Sequence, residues 1–339
     1  MTFGRRQNLR VRVAGGAACA DAEAMATFSV QAQPTDAASW TELARTVEAA
    51  GFDALFAADH PGSCASPFVA LAAAAAVTSR LGLGSYVSNA GVREPILLAA
   101  DVATLDVVSG GRARFGVGAG HTPAEWRAVG RERPDVAGRV RRCVEVAEAV
   151  RALLAGDEVT VDTGDLTAYA ARLDRPRPVQ DRIPLTVGAS NSTLLRWAGR
   201  HADVVGLAGF GRTLPDGHQH TVRWRADQIE AQLAHVAAGA AGRETPPVLE
   251  ALVQHVAVTD DAEAAAAGTA AETGLTPAEV LATPFVLAGT PDEIVSAVAG
   301  HRRRWGVTRF VVRAGAVDAL APLLPRLAGK ELDFEHTRK

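Results

Sequence analysis

Lysine is almost missing from this chain, at two of 339 residues against 33 arginines. Cysteine is scarce as well: Cys19, Cys64 and Cys143 are widely spaced and odd in number. No CxxC pair occurs, so neither a zinc site nor a disulfide framework is indicated, and reduced thiols in a cytoplasmic protein are expected. No surplus of positive charge exists, and a formal charge of −3 argues against a nucleic-acid partner. No apolar run approaches the ~20 residues that a membrane span requires. Histidines and carboxylates nowhere take metal-ligand spacing, so no metal is expected. Aromatic residues make up only 5% of the chain although 48% is hydrophobic. Alanine and glycine fill that gap, and small side chains let helices pack close to a sheet.

The N-terminus carries a faint export pattern, Arg5-Arg6 followed by Ala18-Cys19-Ala20. Arg10 and Arg12 fall where the hydrophobic centre of a signal should be, so export is rejected. Residues 1–24 read as an unstructured leader, 25–330 as one domain and 331–339 as a tail, with the fold starting near Met25.

From Met25 onward, strand-like and helix-like segments alternate. Strands are expected at 28–33, 53–60, 81–89, 112–120, 185–188, 203–210, 249–259 and 309–313. Helical spacing follows each, as in Trp40, Leu43, Val47 and Ala50, a helix closed by Gly51. Thr290-Pro291-Asp292-Glu293 is a helix start with a threonine cap, a first-turn proline and a capping-box glutamate. Ile294, Val298, His301 and Trp305 then share one stripe. Residues 157–178 read as an irregular excursion, 211–223 as a mobile loop, the stretch after 259 as an inserted helical layer and 317–327 as a last helix. Eight strands each followed by helix specify an α/β fold, a (β/α)8 TIM barrel with insertions.

Active sites of such barrels lie at the C-terminal strand ends. That rule selects Gln31 and Gln33, Asp59 and His60, Val87 to Asn89, Gly118 to His121, Gly188 to Ser190, and Gly209. His60 can exchange protons near neutral pH, and Asp59 could orient its ring or bind substrate; a loop pair capping the next segment is the bland alternative. Phe115-Gly116-Val117-Gly118-Ala119-Gly120 is not a GxGxxG fingerprint. It suits close backbone approach to a flat ring, or simple turn chemistry, and Thr122-Pro123-Ala124-Glu125 opens the next helix with a capping box of its own. Gly188-Ala189-Ser190 could hold a phosphate on backbone N–H groups, unless Asn191 or Ser192 merely caps the helix. His218 and His220 are too thin a pair for a metal site, His255 and His301 read as packing or outward residues, and Arg302-Arg303-Arg304 reads as a solvated face.

Several motifs in order complete the pattern: Ala49-Ala50-Gly51-Phe52-Asp53, Ala58-Asp59-His60-Pro61, and Leu105-Asp106-Val107-Val108-Ser109-Gly110-Gly111-Arg112. They continue with Gly116-Val117-Gly118-Ala119-Gly120, Arg175-Pro176-Arg177-Pro178-Val179-Gln180 and Leu287-Ala288-Gly289-Thr290-Pro291-Asp292-Glu293-Ile294. With these the chain resembles the luciferase-like flavin and deazaflavin oxidoreductases, and among them the branch using coenzyme F420. The resemblance implies a coenzyme across the barrel mouth and a non-proline cis peptide near Tyr86-Val87-Ser88 behind its ring. It places His60 near the reacting carbon, with Asp59 helping to hold it. Tyr86, Val87, Ser88, Asn89, Gly118, Ala119, Gly120 and His121 would line the coenzyme, and Gly188, Ala189 and Ser190 its phosphate. The glucose-6-phosphate dehydrogenases of this superfamily have a glutamate where this chain has His121, so their substrate is not implied.

Three functions follow. The first is hydride transfer between F420 and a small organic substrate. The second is an FMN-dependent monooxygenase fed by a partner reductase, and the third a non-catalytic flavin-binding protein. A homodimer is compatible with each, and substrate choice would lie in variable loops.

Overall fold

The computed structural model describes residues 26–214 and 219–329. The expected leader, the Met25 start, the 331–339 tail, Cys19 and His218 lie outside the described residues. Eight parallel strands close a barrel: β1 (Thr27–Ala32), β2 (Ala54–Ala57), β3 (Gly82–Ser85), β4 (Ala113–Gly118), β5 (Leu185–Gly188), β6 (Val204–Leu207), β7 (Val248–Leu252) and β8 (Val307–Arg313). Each pairs with its neighbour in sequence, and β8 pairs with β1, Phe28 opposite Phe310, to seal the ring.

Period-2 alternation sorts the strand side chains into two layers. Phe28 and Val30 of β1, Phe115 and Val117 of β4, and Phe310 and Val312 of β8 face outward into the large helix–strand core. Phe56, Leu252 and Val311 form a second, smaller cluster with Tyr86 inside the barrel. The same alternation carries the polar residues of β1, β4, β7 and β8, notably Gln31, Arg114, Glu250, Arg309 and Arg313, inward.

Helices α1 (Ala37–Ala50), α2 (Pro67–Ala75), α3 (Pro95–Ser109), α4 (Val136–Ala155), α5 (Ser192–His201), α6 (Ala226–Ala240) and α7 (Pro291–Trp305) cover the outside. Their ends follow the sequence signals. Asp36 accepts from Ser39 N at 2.9 Å to start α1, and Gly51, at φ 92°, ends it in the left-handed region. Thr290 and Glu293 form the expected capping box, and Ile294, Val298, His301 and Trp305 are the buried residues of α7. Asp106, buried on α3, accepts from the backbone N–H groups of Ala113, Val179 and Gln180 and from the Gln180 side chain. It thereby pins the start of β4 and the Pro-rich approach to β5 at one point.

Four segments differ from expectation. The excursion after α4 contains an antiparallel hairpin, Val159–Asp162 with Thr167–Ala171. The expected loop at 211–223 is flanked by a second antiparallel ribbon, Phe210–Thr213 with His220–Val222. The seventh strand stops at Leu252; His255–Val258 leaves the barrel to pair with Val286–Gly289, because Gln254 N turns to the Phe285 carbonyl. The last helix is broken into short turns over Ala314–Leu327, where Pro322 and Pro325 withhold the N–H groups a continuous helix needs. Among the described residues no helix is long and apolar enough to cross a membrane, and no His, Cys, Asp or Glu cluster could hold a metal.

Candidate active site

A cavity of about 1240 Å³ opens at the C-terminal ends of the strands. Of the residues expected there, Gln31, Gln33, Asp59, His60, Tyr86–Asn89, Gly118–His121 and Gly188–Ser190 line it; Gly209 does not, and packs instead beside Trp224 and Phe285. The chain leaving β3 forms one wall. Its Tyr86–Val87 peptide is cis, at the position the resemblance implied. Tyr86 points its ring into the barrel against Phe56, at 5.2 Å between centroids. Ser88 is buried and bonds Ser85 Oγ at 2.6 Å.

The glycines of this wall make room for neighbouring chain. A Cβ on Gly116 would lie 2.1 Å from the Ser85 carbonyl oxygen, and one on Gly118 2.7 Å from Val87 Cγ2. A Cβ on Gly188 would meet the same valine at 3.2 Å. Close backbone approach is therefore needed first by the protein itself, so that Val87 can seat against β4 and β5. The expectation of a ring alone behind these glycines is corrected to that extent.

His60 is held by a residue that sequence reading assigned elsewhere. Its Nδ1 lies 2.8 Å from Glu125 Oε1, and the other oxygen of Glu125 accepts from Asn89 Nδ2 at 2.5 Å. Glu125 comes from the short helix Pro123–Ala128, where Thr122 makes no side-chain cap bond, so the expected capping box does not form. Burial would push the Glu125 carboxyl up, but the His60 hydrogen bond and charge outweigh it and leave it lowered. Reciprocally, the Glu125 hydrogen bond raises His60 above the ordinary imidazole value against the effect of burial. Asp59 does not orient the ring. Its carboxylate is 2% exposed and takes Arg93 on both oxygens, at 2.7 and 3.0 Å, with Asn89 N at 2.9 Å. Asn89 itself bonds Glu125 and Gly91 N, so its amide serves this network rather than facing the cavity.

A ladder of rings crosses the mouth above. His121 stands edge-on to His60 at 5.3 Å and to His220 at 4.5 Å, and His220 stacks on Phe210 at 4.9 Å. Burial, with two neighbouring histidines, lowers His121 to about 4 and keeps it neutral at physiological pH. The ribbon that carries Phe210 and His220 thus packs onto the strand ends.

Arginines mark the cavity's charge. Arg133 and Arg139 both line it, and the buried Nε of each has no partner. Burial and the Arg133 charge lower Arg139 to about 10. Arg223 donates to the Ser190 carbonyl at 3.1 Å. Asn191 caps α5 by accepting from Thr193 N and Leu194 N, so the conventional cap is realised and Ser190 stays at the lip. On the opposite side, Arg313 ends β8 and donates to Gln31 Oε1 and to Gln254 Oε1, the latter at 3.0 Å. Gln31 in turn donates to the Tyr86 carbonyl. Deeper in the barrel, Glu250 is buried with Oε1 unpartnered, and burial pushes its carboxyl up to about 7.

Sequence reading missed Glu125, Arg93, Arg133, Arg139, Arg223 and Arg313. For Arg313 the signal existed, since it is the last residue of the eighth expected strand. For Glu125, Thr-x-x-Glu reads equally well as a cap. The assembled site offers an apolar, glycine-floored wall for a flat ring, cations for an anionic tail and a carboxylate-held imidazole for proton exchange.

A family model described as luciferase-like monooxygenase matches residues 23–279. The F420-dependent glucose-6-phosphate dehydrogenase of Beutenbergia cavernae is 31% identical over 337 residues, 89% of this chain and 96% of that protein. The coenzyme F420 dependent tetrahydromethanopterin reductase of Methanopyrus kandleri superposes with a TM-score of 0.70 at 21% identity, over 91% of this chain and 98% of that one. A riboflavin lyase bound to modified FMN and riboflavin gives 0.69 at 17% identity, over 91% and 94%. These last two are likenesses of fold.

Proposed function

This chain belongs to the luciferase-like monooxygenase family and is an oxidoreductase; on that premise we propose that its coenzyme is F420 and its reaction hydride transfer to or from a small organic substrate. The carboxylate-held His60 at the mouth of a ring-sized cavity is the observation that carries the reading. Support for the deazaflavin over FMN comes from the F420-dependent relative aligned along 96% of its length.

The residues fit such a group. Val87, Gly118 and Gly188 offer a flat apolar wall, and the unpartnered Nε atoms of Arg133 and Arg139 suit an anionic tail. When bound, the deazaflavin supplies the two-electron hydride chemistry. The chain supplies the proton. Glu125 fixes the proton of His60 on Nδ1, which leaves Nε2 to take a proton from a substrate hydroxyl on oxidation or to return it to the carbonyl oxygen on reduction. Asp59, paired with Arg93, holds Asn89 and the strand end in place, and its charge favours the protonated imidazole. Neutral His121 and the ribbon ring His220 help close the space above. Glucose 6-phosphate is not carried over from the relative, because His121 stands where those dehydrogenases have glutamate.

Equilibrium fluorescence titration of the full chain tests the reading. F420 is expected to bind more tightly than FMN. Tighter FMN binding, with oxygen-dependent turnover from a separate reductase, would overturn it and select the monooxygenase.

A further inference from the structure

Five arginines line the cavity: Arg133 and Arg139 lie where the coenzyme tail is proposed, Arg212 and Arg223 come from the ribbon after β6, and Arg313 stands on the β8 wall. In a ring of eight strands, β8 stands across from β4. Arg133 and Arg139 belong to the connection after β4 and to α4; Arg313 terminates β8 on the far side.

Arg313 is held unusually for a guanidinium on a cavity wall, exposed at the mouth yet oriented by two side chains. Its two partners, Gln31 and Gln254, are neutral, and the amino group of each glutamine is tied down by a backbone carbonyl, that of Tyr86 or Leu252. Both amides are thereby oriented with oxygen toward the arginine. Among the described residues no carboxylate comes within ion-pair distance of Arg313. The nearby mouth carboxylates are taken, Asp59 by Arg93 and Glu125 by His60. A guanidinium has five donor hydrogens, and the two glutamine bonds leave three. Arg313 lines the same cavity as His60, and its charge is near enough to disfavour protonation of that ring.

We propose that Arg313 is the substrate anchor, and that the substrate is a small organic monocarboxylate held on the β8 wall with its reacting carbon toward His60. The planar fork matches a planar carboxylate, and one positive charge in neutral company balances one negative charge. This rests on the F420 reading for what the anchored molecule undergoes, but the binding claim is separable from it.

Calorimetric titration of the full chain with benzoate and its neutral isostere benzamide tests the anchor. Wild type is expected to favour benzoate severalfold, as an oriented charge pair at an open cavity wall does. Arg313→Met should abolish that preference and leave F420 affinity unchanged; Arg139→Met should weaken F420 and leave the benzoate preference intact. Equal binding of benzoate and benzamide, or a preference that survives Arg313→Met, overturns the anchor. Should Arg313→Met not fold, Arg313→Lys replaces the fork by a point charge and is expected to weaken benzoate severalfold; unaltered affinity again overturns it. If F420 fails to bind wild type while the benzoate preference stands, the coenzyme reading alone is wrong.

Discussion

The wall after β3, seated on β4 and β5, and the wall formed by β1, β2 and β8 adjoin around one mouth, yet they are built by different physics. The first is held by contact: Gly116, Gly118 and Gly188 lack side chains so that Ser85 and Val87 can press against β4 and β5. The second is held by directed bonds, Glu125 to His60, Arg93 to Asp59 and Gln31 to Arg313. Contact is unforgiving of added atoms, whereas a hydrogen-bonded side chain at the cavity can be removed without disturbing the core. Substitutions in the two walls should therefore fail in different assays.

The largest effect is expected in the contact wall. Gly116→Ala places a methyl 2.1 Å from a backbone oxygen, so a strand must shift, at a cost of about 3 kcal/mol in chemical denaturation. A loss under about 1 kcal/mol would show that the wall yields, and the contrast would collapse.

Next comes the hydrogen-bonded wall. His60→Ala should leave stability within roughly 1 kcal/mol while single turnover falls about 10²-fold or more. His60→Asn separates orientation from proton transfer. Glu125→Gln removes the partner that raises His60, so the limb of the pH profile reporting that imidazole should move to lower pH. Nuclear magnetic resonance titration of the His60 ring gives the same shift without turnover. Unchanged rates in both His60 variants would transfer the proton role to His121; a collapse of stability would make His60 structural.

The smallest effect sharpens the comparison from below. Glu250 and Glu125 are both buried carboxylates, but Glu250 has an unpartnered oxygen and is raised to about 7, while Glu125 is lowered by its histidine. Between the ordinary glutamate value and about 7 the folded chain binds more protons than the unfolded one at Glu250, so stability falls as pH rises through that window. Glu250→Gln should be nearly neutral at pH ~5 and stabilising by about 2 kcal/mol at pH ~8 in urea denaturation. A gain equal at both pH values would remove the titration argument.

The barrel was legible because strand alternation and cap residues act locally. Phe28, Val30 and Gly51 state their roles within a few positions. Strand ends follow from strands, which is why the Asp59–His60 and Gly118–His121 positions could be placed at the mouth before any coordinates. Partnership was less legible. Asp59 adjoins His60 in sequence but turns to Arg93, and the residue that reaches the ring, Glu125, is 65 positions away with the signature of a helix cap. The ribbon at 210–222 was hidden by its glycine and histidine content, which reads as loop. Chemistry made by contacts between distant strand ends leaves no local mark.

The Asp106 pin has a bearing on how this chain could vary. One carboxylate fixes the entry to β4 and the return toward β5, so the excursion that leaves α4 through the hairpin at 159–171 comes back to the point where β4 begins. Lengthening the exposed turn at Gly164, ahead of the Asp165 carbonyl that Arg142 holds, adds only the slow, logarithmic entropy of a longer loop. That turn is the natural graft point of the molecule, where new sequence can be carried while the two strands beneath stay in step.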